Sequence, residues 1–287
     1  MSIKIGDNTF RVFNYVFMTC FAIITLYPFW YVIMYSLSDP GVFVQNNLYL
    51  VPIEFTFKTY AYIIRQRLIY TGLLNSIFIT AAGTVINLVV ISMTAYPLSK
   101  ERLKGKNYIF SFFLFTMLFN GGLVPTYLVV RAFNMIDSLW ALIIPGALSI
   151  YYMLIMIKFF KGIPDSLFES AKLDGATEFF TLLKIVVPLS KASFAAIGLF
   201  CAVGHWNSYF QGLMYINTPE KFPLQVILYQ MLSRSVNPNA IGIKEIIITP
   251  VNVKMCAVVI SLVPILMVYP FIQKHFMSGV LLGSVKG

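Results

Sequence analysis

The sequence predicts an all-α integral membrane protein with six transmembrane helices, and three observations carry that prediction. Only 11% of the 287 residues are charged and 59% are hydrophobic, whereas a soluble domain carries about 25% charged residues. The mean hydropathy is +0.80. Six apolar runs, 12–37, 72–97, 109–130, 138–157, 193–215 and 255–273, each approach the roughly 20 helical residues that cross a bilayer, and none holds Asp, Glu, Lys or Arg. No Gly/Ser-rich linker or low-complexity stretch divides the chain, so a single domain over 1–287 is expected.

Taken in order, run 12–37 is too long for a signal-peptide core and lacks a small-residue cleavage pattern, so a retained helix is expected. The segment 38–71 contains Asp39-Pro40-Gly41 and then Thr56 to Ile64, which reads as a short amphipathic surface helix. Run 72–97 ends at Tyr96-Pro97. Run 109–130 holds Asn120, Gly121, Gly122 and Pro125, which predict a break or kink. Interrupted helices often line a transport path, and small residues equally serve close helix packing. Run 193–215 is followed by a segment, 216–253, with four prolines flanking an apolar stretch at 224–232, where a short helix is expected. Cys20, Cys201 and Cys256 all fall within apolar runs, which argues against a disulfide framework.

The formal net charge is +10, but its distribution reads as topology rather than as a nucleic-acid surface. With six spans and an inside N-terminus, 13 of the 21 Lys and Arg lie on inner segments and eight on outer ones. The cluster Lys100 to Lys106 weighs most. Both termini are therefore expected in the cytoplasm.

The long inner loop, about 159–192, is amphipathic and charged. Ser166 and Glu169 fit a capping box at a helix start. Asp174-Gly175 ends that helix, since glycine takes the left-handed conformation without steric penalty. A second helix is expected from Thr177, carrying Phe180, Leu183 and Lys184 toward Pro188. Periodicity alone leaves three readings: an interfacial helix pair, packing for the inner ends of the spans, or a docking knob for a soluble subunit.

Glu169-Ser170-Ala171-Lys172-Leu173-Asp174-Gly175-Ala176, followed by Ile185-Val186-Val187-Pro188-Leu189, resembles the EAA loop of bacterial ABC-type import permeases. The likeness extends to the six-span layout, the run 119–127, Trp206-Asn207 and the terminal 283–287. It is nearest to sugar-importer permeases of the maltose-permease type, in the subgroup serving oligosaccharides and complex polysaccharides. Three positions depart from the motif: Ser170 replaces an alanine, Leu182 a phenylalanine, and Ala192 a frequent proline. The resemblance implies a type I ABC importer permease fold in a bacterial cell membrane, and a loop, 166–189, that couples to an ATPase. Glu169 would then face a basic group of the ATPase, Asp174 and Gly175 would form the turn, and Ala171 and Ala176 would allow close approach. The tail Val285, Lys286 and Gly287 would reach between the ATPases. The implied partners are a second homologous permease as a heterodimer, two ABC ATPases, an extracytoplasmic sugar-binding protein and membrane lipid, with no nucleic acid.

The chain lacks the Gly-x-x-x-x-Gly-Lys-[Ser/Thr] phosphate loop, so ATP and Mg are expected on the ATPases and no cofactor on this chain. It has no paired carboxylates, metal-ligand cluster or nucleophile motif, and no catalytic residue is expected. Intramembrane polar residues are the substrate-path candidates: Asn120, His205, Trp206, Asn207 and Tyr209. Helical spacing would put His205 and Tyr209 on one face and Asn207 and Gln211 on another. Such residues can equally hydrogen-bond between helices. Two other functions compete: a self-contained secondary transporter or channel, which the absence of an acid in the spans counts against, and an ABC importer for a non-sugar solute.

Overall fold

The computed structural model describes residues 3–39, 48–119, 121–233 and 251–267, and those residues contain helices and turns with no strand. Asn120 and the tail Val285, Lys286 and Gly287 lie outside them. The described residues fall into two compact units, those within 1–66 and 230–263, and those within 67–229 and 264–287.

The first unit is built on α1 (Ile3–Ser36), whose stretch Thr9–Ser36 is long and apolar enough to cross a membrane. Its Phe13, Phe17 and Phe21 rings form a stacked stripe along one exposed face. Exposed aromatic surface of this extent suits lipid rather than water. At its C-terminal end Tyr35 packs tilted on Tyr49 at 4.7 Å, and both rings are buried. The amphipathic α2 (Lys58–Arg65) lies where the sequence predicts it, with Ile63 buried and Ile64 exposed. The Tyr60 hydroxyl is 2.6 Å from Ser36 Oγ, in a hydrogen bond that either can donate. The apolar α13 (Val251–Met267) covers part of the sixth predicted span. It returns to α1 through Asn252 Nδ2, which donates to Ser38 O, and Cys256 Sγ, which donates to Ser36 O.

The second unit is organised around α3 (Arg67–Ser99), a continuous helix long enough to span. Gly72, Ser76, Ile79, Gly83, Asn87 and Ile91 are buried at helical spacing along it. Small residues on that stripe let neighbouring backbones come close, the usual basis of helix association where no hydrophobic drive operates. Against it pack α6 (Ile150–Lys161) and α10 (Lys191–Trp206). Ile91, Ala95, Met153, Met156, Phe160 and Ile197 form a buried core, extended by Leu182 and Val186 of the loop. A second core gathers Ile79, Val130, Leu142, Ile143, Tyr215 and Ile216.

The remaining predicted spans are broken rather than straight. α4 (Lys106–Leu118) and α5 (Leu123–Ala132) are bent by 113° from one another, at the glycine pair that predicts a break. The fourth run begins as two 3₁₀ turns, Leu139–Leu142 and Ile144–Gly146, bent by 51° from α6, because Pro145 cannot supply a helical N–H. The fifth run divides into α10 and α11 (Tyr209–Tyr215). The short helix expected at 224–232 is α12 (Leu224–Ser233). By length and composition the described residues hold two continuous spans, or up to five when each of three bent pairs is counted as one, the third pair being Glu178–Leu189 with α10, bent by 87°.

Candidate functional site

The loop after α6 folds as the sequence suggests, with one correction at its start. The first helix, α7 (Asp165–Leu173), begins at Asp165 with Pro164 as its N-cap, and no side-chain cap bond is made. Pro164, at φ −60° and ψ 135°, sets the entry two residues earlier than a Ser166 cap requires. Ser166 is thus already helical, and the Ser166–Glu169 capping box does not form. Asp165 instead places its carboxylate in the first turn, where the helix dipole favours it.

The end of α7 is a Schellman turn. Ala176 N donates to Ala171 O at 2.9 Å and Gly175 N donates to Lys172 O at 3.1 Å, with Gly175 at φ +75°. A Cβ built on Gly175 would meet no atom within 4 Å, so the glycine answers to backbone conformation and the space above it is open. Glu169, Asp174 and Gly175 are exposed and Leu173 is 89% exposed, while Ala171 is buried and Ala176 half-buried. A cleft of 510 Å³ runs beside the turn, lined by Ala171, Asp174, Gly175, Ala176, Phe180 and Ile185. Thr177 then caps α8 (Glu178–Thr181), its Oγ1 accepting from Phe180 N. The helix widens into a π-helical stretch, Leu182–Val186, and closes with α9 (Val187–Leu189). Phe179, Phe180 and Leu183 remain exposed, an apolar patch beside the turn.

Four residues that the sequence analysis did not count among the site candidates fasten this loop to the C-terminal end of α3. Tyr96 donates its hydroxyl to Glu178 Oε2 at 2.6 Å. Lys100 Nζ stands over the Phe168 ring of α7, 2.8 Å from its centroid, and 4.9 Å from that of Tyr96. Burial holds the Lys100 ammonium below the usual lysine range, against the opposing pull of Glu178 and Asp165. Charges of both signs, among them Lys100, Arg102 and Lys172 with Asp165, Glu169 and Glu178, line a second cleft of 620 Å³.

The substrate-path candidates are dispersed. His205 Nε2 lies 2.8 Å from Asn87 Oδ1, and Asn87 Nδ2 donates to Gly146 O, so the imidazole is the donor to the amide oxygen. The ring sits over Gly83, where a Cβ would be 2.5 Å from Nε2. Trp206 is buried, with an indole N–H that has no partner among the described residues. Asn207 is exposed and donates to Val203 O. Tyr209 is exposed and stacks on Tyr229 at 5.4 Å. The break between α10 and α11 falls after Trp206, so the expected i, i+4 alignment of His205 with Tyr209 does not carry across it.

At the opposite end of α3 from the loop, Asp137 (φ +61°) forms a clasp. Its Oδ1 accepts from Asn217 N and Thr218 N, and its Oδ2 from Thr218 Oγ1 and Lys221 Nζ. Lys221 first, then Thr218, holds this carboxyl well below the usual carboxylate range.

Residues 106–281 match the family of the binding-protein-dependent transport system inner membrane component. The chain is 41% identical to the polygalacturonan/rhamnogalacturonan transport system permease protein YtcP of Bacillus subtilis, over 98% of this chain and 99% of that one. It is 27% identical to the arabinooligosaccharides transport system permease protein AraQ of the same organism, over 98% of this chain and 97% of that protein. A chain from the crystal structure of a bacterial ABC transporter involved in the import of the acidic polysaccharide alginate superposes with a TM-score of 0.89, at 32% identity, covering 94% of this chain and 98% of that one. The chain therefore belongs to the binding-protein-dependent transport system inner membrane components, the non-catalytic permease subunits of ABC transporters.

Proposed function

We propose that the chain forms half of the translocation path of an ATP-driven importer for oligosaccharides released from complex polysaccharides. It couples to an ATPase through the loop at 166–189. The exposed turn at Gly175 carries this reading: a left-handed residue with open space above it, flanked by exposed Glu169, Leu173 and Asp174. Such a turn presents backbone and small side chains to an incoming surface. The printed substrates of the similar proteins support a carbohydrate cargo. The partners would be a second permease, two ATPases carrying ATP and Mg, and an extracytoplasmic sugar-binding protein. The distribution of Lys and Arg supports a cytoplasmic loop and cytoplasmic termini. The tail Val285, Lys286 and Gly287 would approach the ATPases, on the strength of the sequence resemblance.

The test is Gly175→Trp, with Gly175→Ala as its control. Both force a side chain onto a left-handed residue, but only tryptophan fills the space above it. Gly175→Trp should insert normally, yet lose ATPase co-purification and uptake by about tenfold or more, a difference of roughly 1.4 kcal/mol. Normal co-purification and uptake in that variant would remove the docking assignment.

A further inference from the structure

We propose that Tyr96, Lys100, Phe168 and Glu178 form a latch that makes α3 move with the coupling loop as one body. The inference rests on the reading of the loop as an ATPase docking site.

The loop is covalently continuous with α6 before it and α10 after it, so both helices follow any displacement of the loop directly. α3 has no such connection. It lies 60 or more residues earlier in the chain, and only non-covalent contacts can commit it to the same motion. Beyond the apolar packing of α6, α10 and the loop on α3, the described residues supply polar contacts between α3 and the loop at the C-terminal end of α3. Tyr96 lies in the last turn of α3, and Lys100 is the residue that follows its end at Ser99. Tyr96 reaches forward to Glu178, just after the Gly175 turn, at 2.6 Å. Lys100 sits over Phe168, just before the turn. Both arms of the loop are thus held at the C-terminal end of α3.

The chemistry favours a directional grip over mere packing. The packing of Leu182 and Val186 in one core with Ile91 and Ala95 is non-directional. A hydroxyl donating to a carboxylate is directional, because charge-assisted hydrogen bonds are short and oriented. The partial burial that depresses the Lys100 pKa makes its ring contacts worth more than they would be in open water. Further along α3, the same helix bonds to His205 of α10 through Asn87. A push on the loop is therefore delivered to the helix at the centre of this unit.

The test uses the full complex of permeases, ATPases and binding protein in liposomes, in a Cys20→Ser background. Spin labels go at two exposed positions, Met93→Cys on α3 and Lys184→Cys on the loop. Their separation is measured without nucleotide and with a non-hydrolysable ATP analogue. With the latch intact, the separation should be the same in both states. Tyr96→Phe, which removes only the hydroxyl, and Glu178→Ala should let it shift or broaden by more than about 2 Å on adding the analogue. In these variants the ATPase should still co-purify, while sugar moved per ATP hydrolysed falls roughly fivefold or more. Glu178→Gln retains an oxygen that accepts the hydroxyl and should keep the separation constant, which a general packing defect would not. Tyr96→Phe and Glu178→Ala should not be additive when combined, because they remove the same bond.

A separation that changes in the intact complex, or that stays constant in Tyr96→Phe and Glu178→Ala, would overturn the latch while leaving docking in place. Failure of the ATPase to associate with the intact chain would overturn the docking reading and the latch with it.

Discussion

At Gly175 the backbone takes φ +75°, a region that costs a residue with a Cβ about 1–2 kcal/mol. No neighbour within the chain forbids a side chain there. Strain and occlusion can therefore be separated: Gly175→Ala should show the strain alone, as a small fall in thermal midpoint with ATPase docking retained. Asp137 illustrates the opposite case, a residue defined by its bonds. Its carboxylate gathers four hydrogen bonds, and its pKa in the folded protein lies below the unfolded value of about 3.9. In the window between the two values the unfolded chain binds more protons, so this contribution to stability is full above the unfolded pKa and fades as pH falls toward the folded one. Asp137→Asn should lower the thermal midpoint at pH 7, and its deficit against the native protein should shrink below about pH 4. A pH-independent deficit would show that the ionised carboxylate is not what holds the clasp.

The loop and α3 show how differently local and distant relations can be read at the scale of elements. The Schellman turn was legible because Asp174-Gly175 is a local signal and its bonds span only a few residues. The helix start was misread because Ser166 and Glu169 have cap-box spacing, yet Pro164 had already set the entry. The ties to α3 were not legible at all, since Tyr96 and Glu178 are 82 residues apart and Asn87 and His205 are 118 apart. Nothing in either local pattern announces the other partner. His205 had stood as a path candidate, and its bond to Asn87 makes it a strut between α3 and α10. His205→Ala should leave the buried Asn87 oxygen unpaired, at a cost of about 1–3 kcal/mol, seen as a lower thermal midpoint in detergent. Tyr209 makes no such strut, so Tyr209→Ala should spare stability and alter sugar-stimulated ATP hydrolysis. The reverse pattern would exchange the two assignments.

Over the whole molecule, the arrangement of basic residues places the loop and both termini on the cytoplasmic side in the proposed reading. A fluorescent protein should be bright when fused at either terminus, and alkaline phosphatase fused at the same positions should be inactive. Active phosphatase at either end would reverse the topology. Composition by itself determined that this is a multi-pass helical membrane protein, because runs without charge are tolerated at such length only where lipid replaces water. The run 169–189 likewise determined the local turn and the family likeness, because both reside in adjacent residues. What only the tertiary structure decided is how far the third span bends, 113° between α4 and α5, where the fifth run divides, after Trp206, and which distant side chains meet, among them Tyr96 and Lys100 on the loop. The physical reason is one of range. Hydropathy and turn conformation are set by neighbours along the chain, whereas a hydroxyl finds its carboxylate only after α3, α6 and α10 have packed.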